Sequence, residues 1–124
     1  MTFNGEIQFT ITEKNVDHVT GEMPIQAGIL NPFGTVHAGA IIWFADVTAT
    51  VLVLEDVEVV EGMKGFPLAI NLNANLIGNG KEGTFLSQAK YVKRGKAVSI
   101  VRTTVSDQKG RLIAEITTSH VSSK

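Results

Sequence analysis

The chain has 124 residues, 44% of them hydrophobic, with a formal net charge of −1 and no cysteine. That size and balance describe one folded domain spanning residues 1–124 rather than a disordered segment. They argue against a nucleic-acid partner, which calls for a basic excess, and exclude disulfides, a thiolate nucleophile and a cysteine-based zinc site.

The start, MTFNGEIQFT, lacks a basic stretch followed by an apolar run, so a cytoplasmic location is the expectation. Residues 6–12 alternate, which predicts a strand with Ile7, Phe9 and Ile11 on one face. After the polar break EKNVDH, residues 19–24 read as a second strand or as a continuation of the first around a bend. The stretch IQAGILNPFGTVHAG, with three glycines and an Asn-Pro step, reads as a loop feeding a helix.

Residues 38–54, AGAIIWFADVTATVLVL, are apolar on every side and carry a single charge, Asp46. A helix apolar all round is buried on most sides, and this one is too short, with an acid at its centre, to span a membrane. No basic residue lies three or four positions from Asp46 to pair with it. Burying an unpaired carboxylate is costly. Asp46 therefore reads either as an acid satisfied by backbone or hydroxyl donors, or as a general base or nucleophile at a polarised carbonyl.

The acidic run EDVEVVEG opposes the helix macrodipole and predicts a stop near Leu54 or Glu55. Four strand-like runs follow. Residues 68–77 alternate, with Leu68, Ile70, Leu72, Ala74 and Leu76 on one face and asparagines on the other. Residues 84–93, 97–106 and 112–121 complete the set, joined by turns at Arg94-Gly95-Lys96 and at DQKG, residues 107–110. Short turns make antiparallel neighbours, and one helix covers one face of a sheet, so the predicted fold is α+β: an antiparallel sheet curled around one long helix.

Several residues are candidates for chemistry. His18 and His120 read as exposed or edge positions, whereas His37 precedes the helix. A helix N-terminus offers free N–H groups to an oxyanion, and Gly39 permits close backbone approach. By themselves, Asn31, His37 and Gly39 read first as helix-entry capping and turn residues, and only second as chemistry. Gly39 and Asp46 lie seven residues apart, about 10.5 Å along a helix. One carbonyl carbon cannot sit beside both, so a shared reaction centre requires a second copy of the chain. Lys93, Arg94 and Lys96 form the densest basic cluster, either a solvated hairpin tip or a phosphate grip. No metal-ligand spacing or dinucleotide motif is present, and no metal or redox cofactor is expected.

The run N-P-F-G-T-V-H-A-G-A followed by an apolar helix bearing Asp46 resembles the hotdog-fold acyl-CoA thioesterases of the phenylacetate-degradation (PaaI-like) type. The basic-Gly-basic tip and the D-x-x-G turn extend the resemblance over nearly the whole chain. It implies hydrolysis of an aryl- or medium-chain acyl-CoA by a homodimer or dimer of dimers, with CoA as part of the substrate and no membrane partner. By position, Asp46 corresponds to the base or nucleophile and the Ala38 or Gly39 amide to the oxyanion donor. Asn31 corresponds to a water- or thioester-positioning residue and His37 to a loop-ordering one. Lys93, Arg94 and Lys96 correspond to CoA phosphate contacts. Trp43, Phe44, Met63 and Phe66 are candidates for an acyl pocket. Two residues depart from the family pattern: Ala38 replaces a glycine, and Ala69 stands where some members carry Ser or Thr. The alternatives are a hotdog hydratase or dehydratase, and a non-catalytic acyl-CoA-binding protein.

Overall fold

A computed structural model describes residues 1–123. Strands β1 (Thr10–Lys14) and β2 (His18–Pro24) precede a 3-10 turn at Ala27–Ile29 and helix α1 (Ala38–Leu54). Strands β3 (Pro67–Leu76), β4 (Thr84–Lys93), β5 (Ser99–Ser106) and β6 (Leu112–Ser122) follow. All six form one antiparallel sheet in the order β1-β2-β4-β5-β6-β3, curled around α1. This is the α+β hotdog architecture that the sequence predicts.

The first strand begins later than its alternation suggests. Thr10 opposes Glu22, so the next rung outward would set Gln8 against Pro24, which has no N–H to give. The Gln26 side chain takes that rung instead. Its Oε1 accepts from the Gln8 amide at 2.9 Å and its Nε2 donates to the Gln8 carbonyl at 2.8 Å. Ile7, Phe9 and Ile11 nonetheless pack on the core as a single face.

The last four strands are not all neighbours of their successors. The loop GNGKEG carries the chain from β3 past β5 and β6, so β3 pairs with β6 and forms one edge of the sheet. A bulge between Ala69 and Asn71 breaks the one-face reading of this strand. Residues opposite each other share a face, and a bulge shifts that parity. Ala69 opposes buried His120, and Leu72 opposes buried Thr118, so both face inward, whereas Leu68 opposes Val121 and faces out. The connection from β4 to β5 is also longer than a tight turn, spanning residues 94–98. The backbone folds onto itself there, leaving no room for a Cβ at Gly95 beside the Val98 carbonyl.

The core fills the space between one helix face and the inner sheet face. Phe44, Ile41 and Ala45 pack with Met23, Phe85, Ile113 and Ile116, and Leu52 and Ala49 with Val19, Ala89 and Val101. Burial of such side chains contributes roughly 1.5–3 kcal/mol each. Thr48 is enclosed in this apolar setting because its hydroxyl bonds the Phe44 carbonyl and the Ser87 hydroxyl, both at 2.8 Å. The opposite helix stripe, Gly39, Ile42, Trp43, Asp46, Thr50 and Val53, is not buried. An all-round apolar helix is thus covered on only one side by its own chain.

Candidate active site

Asp46 stands at the middle of that uncovered stripe. It lines a cleft of about 520 Å³ between α1 (Gly39, Ile42, Trp43) and β3 (Ala69, Ile70, Asn71, Leu72). The carboxylate is half-buried, and its Oδ1 is enclosed with no hydrogen-bond partner among the described residues. The expected backbone or hydroxyl donors of a purely structural acid are therefore missing. Buried polar atoms are satisfied in roughly nine cases of ten, so this one calls for a chemical reason.

The helix start is shaped by a network of side-chain clamps. Asn31 Oδ1 accepts from the Phe33 and Thr35 amides at 3.0 and 3.1 Å, and its Nδ2 donates to the Thr35 hydroxyl at 2.8 Å. Gly34, at φ 83°, supplies the left-handed residue that closes this turn. Asn79 of the loop after β3 braces Val36, accepting from its amide at 3.0 Å and donating to its carbonyl at 2.8 Å. No sequence signal singles out Asn79, because its partner lies 43 positions away. His37 caps the helix, its Nδ1 accepting from the Gly39 amide at 3.1 Å. That bond occupies Gly39 N–H. The Ala38 N–H has no acceptor among the described residues and is the free donor of the pair. An added Cβ at Gly39 would meet nothing closer than His37 Nδ1 at 3.5 Å. Nothing within one chain demands glycine there, although glycine weakens a helix.

His120 differs from its sequence reading. It is 2% exposed, in the interior of β6, with Nε2 at 2.7 Å from the Thr118 hydroxyl and Nδ1 enclosed and unpartnered. Burial lowers its pKa below the ordinary imidazole value, while the charge of Asp46 acts in the opposite direction. The strand period already contained this placement: Ala114, Ile116, Thr118 and His120 alternate onto one face. Proximity to the chain end suggested exposure, but β3 and β5 flank the residue on both sides. His18 lies in its polar setting, 3.0 Å from Glu13.

A second cleft, about 500 Å³, opens at the other end of the helix and is lined by Glu55, Tyr91, Arg94, Lys96 and His120 among others. Arg94 is already paired there with Glu55 at 2.6 Å and lies over the Tyr91 ring. Lys93 is exposed at the end of β4 and does not line this cleft. Burial, reinforced by the hydrogen bond to Glu55, pushes the Tyr91 phenol up to about 12. The aromatic candidates separate. Trp43, 54% exposed, flanks Asp46 and meets Phe9 edge-on, whereas Phe44 is core. Phe66 and Met63 lie with Val59 and Val60 in a third cleft, away from Trp43.

Among the described residues no helix is long and apolar enough to cross a membrane. No curated protein matches the sequence. Solved structures share the fold at low identity. A thioesterase from Haemophilus influenzae is 18% identical over 92% of this chain and 77% of its own, with a TM-score of 0.81. A Streptococcus mutans protein bound to acetyl-CoA is 20% identical over 94% and 89%, with a TM-score of 0.82. A hypothetical thioesterase protein from Streptococcus pneumoniae with coenzyme A is 16% identical over 97% and 96%, with a TM-score of 0.81. The sequence profile of the thioesterase superfamily matches residues 33–114, from the loop before α1 into β6. With its curled sheet, central helix and that match over most of its length, the chain belongs to the thioesterase superfamily.

Proposed function

We propose that this protein hydrolyses an aryl- or medium-chain acyl-CoA thioester to the free acid and CoA, working as a homodimer or dimer of dimers. The observation that carries the reading is Asp46: a carboxylate with an unpartnered oxygen, midway along an apolar helix, opening on a cleft in a superfamily of thioester hydrolases. Asp46 takes a proton from water as the water oxygen attacks the carbonyl carbon. The resulting oxyanion is held by the Ala38 N–H at the helix start of the second copy, where the amide dipoles favour negative charge. The C–S bond then breaks and the proton passes to the departing thiolate. His37 keeps the Gly39 amide occupied and the helix start ordered, and Asn31 fixes the preceding turn.

The second copy is supported by two surfaces. The Gly39–Val53 stripe of α1 is uncovered, and edge strand β3 exposes Ile70 and Leu72 beside it. A long apolar edge strand is an open template for another chain. A second helix N-terminus brought to this edge would also remove the 10.5 Å problem, about the rise of seven helical residues. The CoA carried by two neighbours of the same fold supports the choice of thioester. Arg94 and Lys96 at the mouth of the second cleft, with Lys93 nearby, suit its phosphates. Trp43 suits the acyl group, and Phe66 belongs to that role only if the partner brings it near. A panel of aryl- and aliphatic-CoA esters assayed for free thiol tests the proposal. Binding without thiol release would replace it with a non-catalytic acyl-CoA-binding role, and hydration of an enoyl-CoA with a hydratase.

A further inference from the structure

We infer that Asn79 is a positioning residue for the oxyanion donor: its carboxamide holds the two peptide planes that precede the Ala38 N–H and so fixes where that donor points. This deepens the hydrolase reading and rests on it.

The chain entering α1 is gripped plane by plane. The Thr35–Val36 peptide is held at its carbonyl by the Asn31 N–H at 2.8 Å and at its N–H by Asn79 Oδ1 at 3.0 Å. The Val36–His37 peptide is held at its carbonyl by Asn79 Nδ2 at 2.8 Å and at its N–H by the Ile29 carbonyl at 2.7 Å. Each plane is thus fixed from both sides, and Asn79 supplies one bond to each. One side chain does here what the backbone of a neighbouring strand does in a sheet. Only the φ and ψ of His37, −63° and 134°, separate the second plane from the Ala38 N–H. A tilt of the clamped peptide therefore passes straight to the donor, and a misplacement of about 1 Å at a reacting group costs roughly 100-fold in rate.

Asn79 is itself anchored for this task. Its Oδ1 meets two N–H groups, those of Val36 and, at 2.8 Å, of Gly80. The reverse orientation of the amide would set its NH₂ against two donors, so the acceptor must face them. The Asn79 carbonyl accepts from Arg111 at 2.6 Å, and Arg111 is paired with Asp107 at 3.2 Å. The preceding Ile77 and Gly78 N–H groups both donate to the Ile113 carbonyl at 2.9 Å, and a Cβ at Gly78 would come within 3.3 Å of the Leu112 carbonyl oxygen. The loop after β3 is thus moored to the start of β6. Val36 is fully buried, so water is a poor substitute for the carboxamide. In a shared site Asn79 acts in the copy that lends its helix start, and so serves the Asp46 of the other copy.

Asn79→Asp keeps the shape and the acceptor but sets an oxygen against the Val36 carbonyl. The first test needs no turnover. In this variant ¹⁵N relaxation should show the His37 and Ala38 amides less ordered than in the wild type, while Ala45 and Ala49 in mid-helix stay rigid. Wild-type order at Ala38 would overturn the inference. The second test separates chemistry from binding. The variant should lose about 10-fold or more in kcat, the worth of one hydrogen bond made in the transition state. Its Kd for the matching CoA thioether, which has no carbonyl oxygen for the donor to hold, should not change. Wild-type kcat with a lowered melting temperature, or equal losses in kcat and thioether binding, would make the clamp purely structural. Should Asn79→Asp fail to fold, Arg111→Gln loosens the same anchor at a side chain 63% exposed. It should lower order at Ala38 and reduce kcat about threefold, again at unchanged thioether affinity, and no change in either would overturn the inference. A wild type that releases no thiol from any acyl-CoA would sink the hydrolase reading, and the order of the Ala38 amide would then decide the clamp alone.

Discussion

At the residue scale the decisive contrast is between a carboxylate kept for packing and one kept for chemistry. Asp46→Asn preserves shape and removes charge. Turnover should fall by roughly 100-fold or more, the usual worth of a positioned acid–base group, with the fold and assembly retained. Melting temperature should hold or rise, because a buried charge kept for function costs stability. Kinetics and a thermal melt of the same preparation check both halves, and near-normal turnover would return Asp46 to a structural role. His120 has a pH signature of its own. Burial depresses its folded-state pKa, so below the ordinary value of 6.5 the unfolded chain binds a proton that the folded chain refuses. Stability is then complete above that value and declines as pH falls through and beneath it. Denaturant melts from pH 7.5 to 5 should show this slope in the wild type and a flatter one in His120→Asn.

At the element scale, the join of α1 to the β4–β5 connection ties the basic cluster to the helix end. Glu55 closes the helix at φ 52°, a left-handed conformation unusual for a residue with a side chain, and its carboxylate accepts from Tyr91 at 3.1 Å and from Arg94 at 2.6 Å. Both partners are partly exposed, so the pair contributes little to stability by itself. Its consequence is orientation. Arg94→Gln and Lys96→Gln should each raise KM for acyl-CoA about 10-fold, on the scale of one charge-assisted contact, and change kcat little, the mark of lost uniform binding. KM for the matching acyl-pantetheine, which lacks the nucleotide, should stay constant; an equal rise for both substrates would make the cluster structural. Tyr91 supplies an alkaline counterpart to His120. Its phenol is raised from 10.0 to about 12, so stability is intact below pH 10 and is lost as pH rises toward 12. Tyr91→Phe should remove that step from alkaline melts.

At the scale of the molecule, one chain leaves too much apolar surface open around its own reactive group. Ile70 is 56% exposed on the bulged part of β3, beside the exposed Trp43 and the Asp46 cleft. Ile70→Lys leaves the core of a single chain untouched, so it should fold. It should also separate the copies in light scattering and abolish thiol release, where the wild type has the mass of two or four chains. An active monomer would end the shared-site proposal.

Much of this was legible before any coordinates, for reasons that are local. The seventeen-residue apolar run with one acid fixes α1, the strand-like run 84–93 fixes β4, and DQKG fixes the last turn, since each depends on neighbours a few positions away. The resemblance carried by N-P-F-G-T-V-H-A-G-A and Asp46 also reached the right superfamily. What waited for tertiary structure depends on partners distant in the chain. Period-two logic cannot foresee the bulge that turns Leu68 away from Leu72, nor that β3 crosses the sheet to lie beside β6. Asn79 clamping Val36 and Gln26 completing a rung for Gln8 are pairings across long loops. Ala38 rather than Gly39 holds the free amide because the His37 ring swings onto Gly39. His120 reads as a chain-end residue until the two flanking strands β3 and β5 bury it.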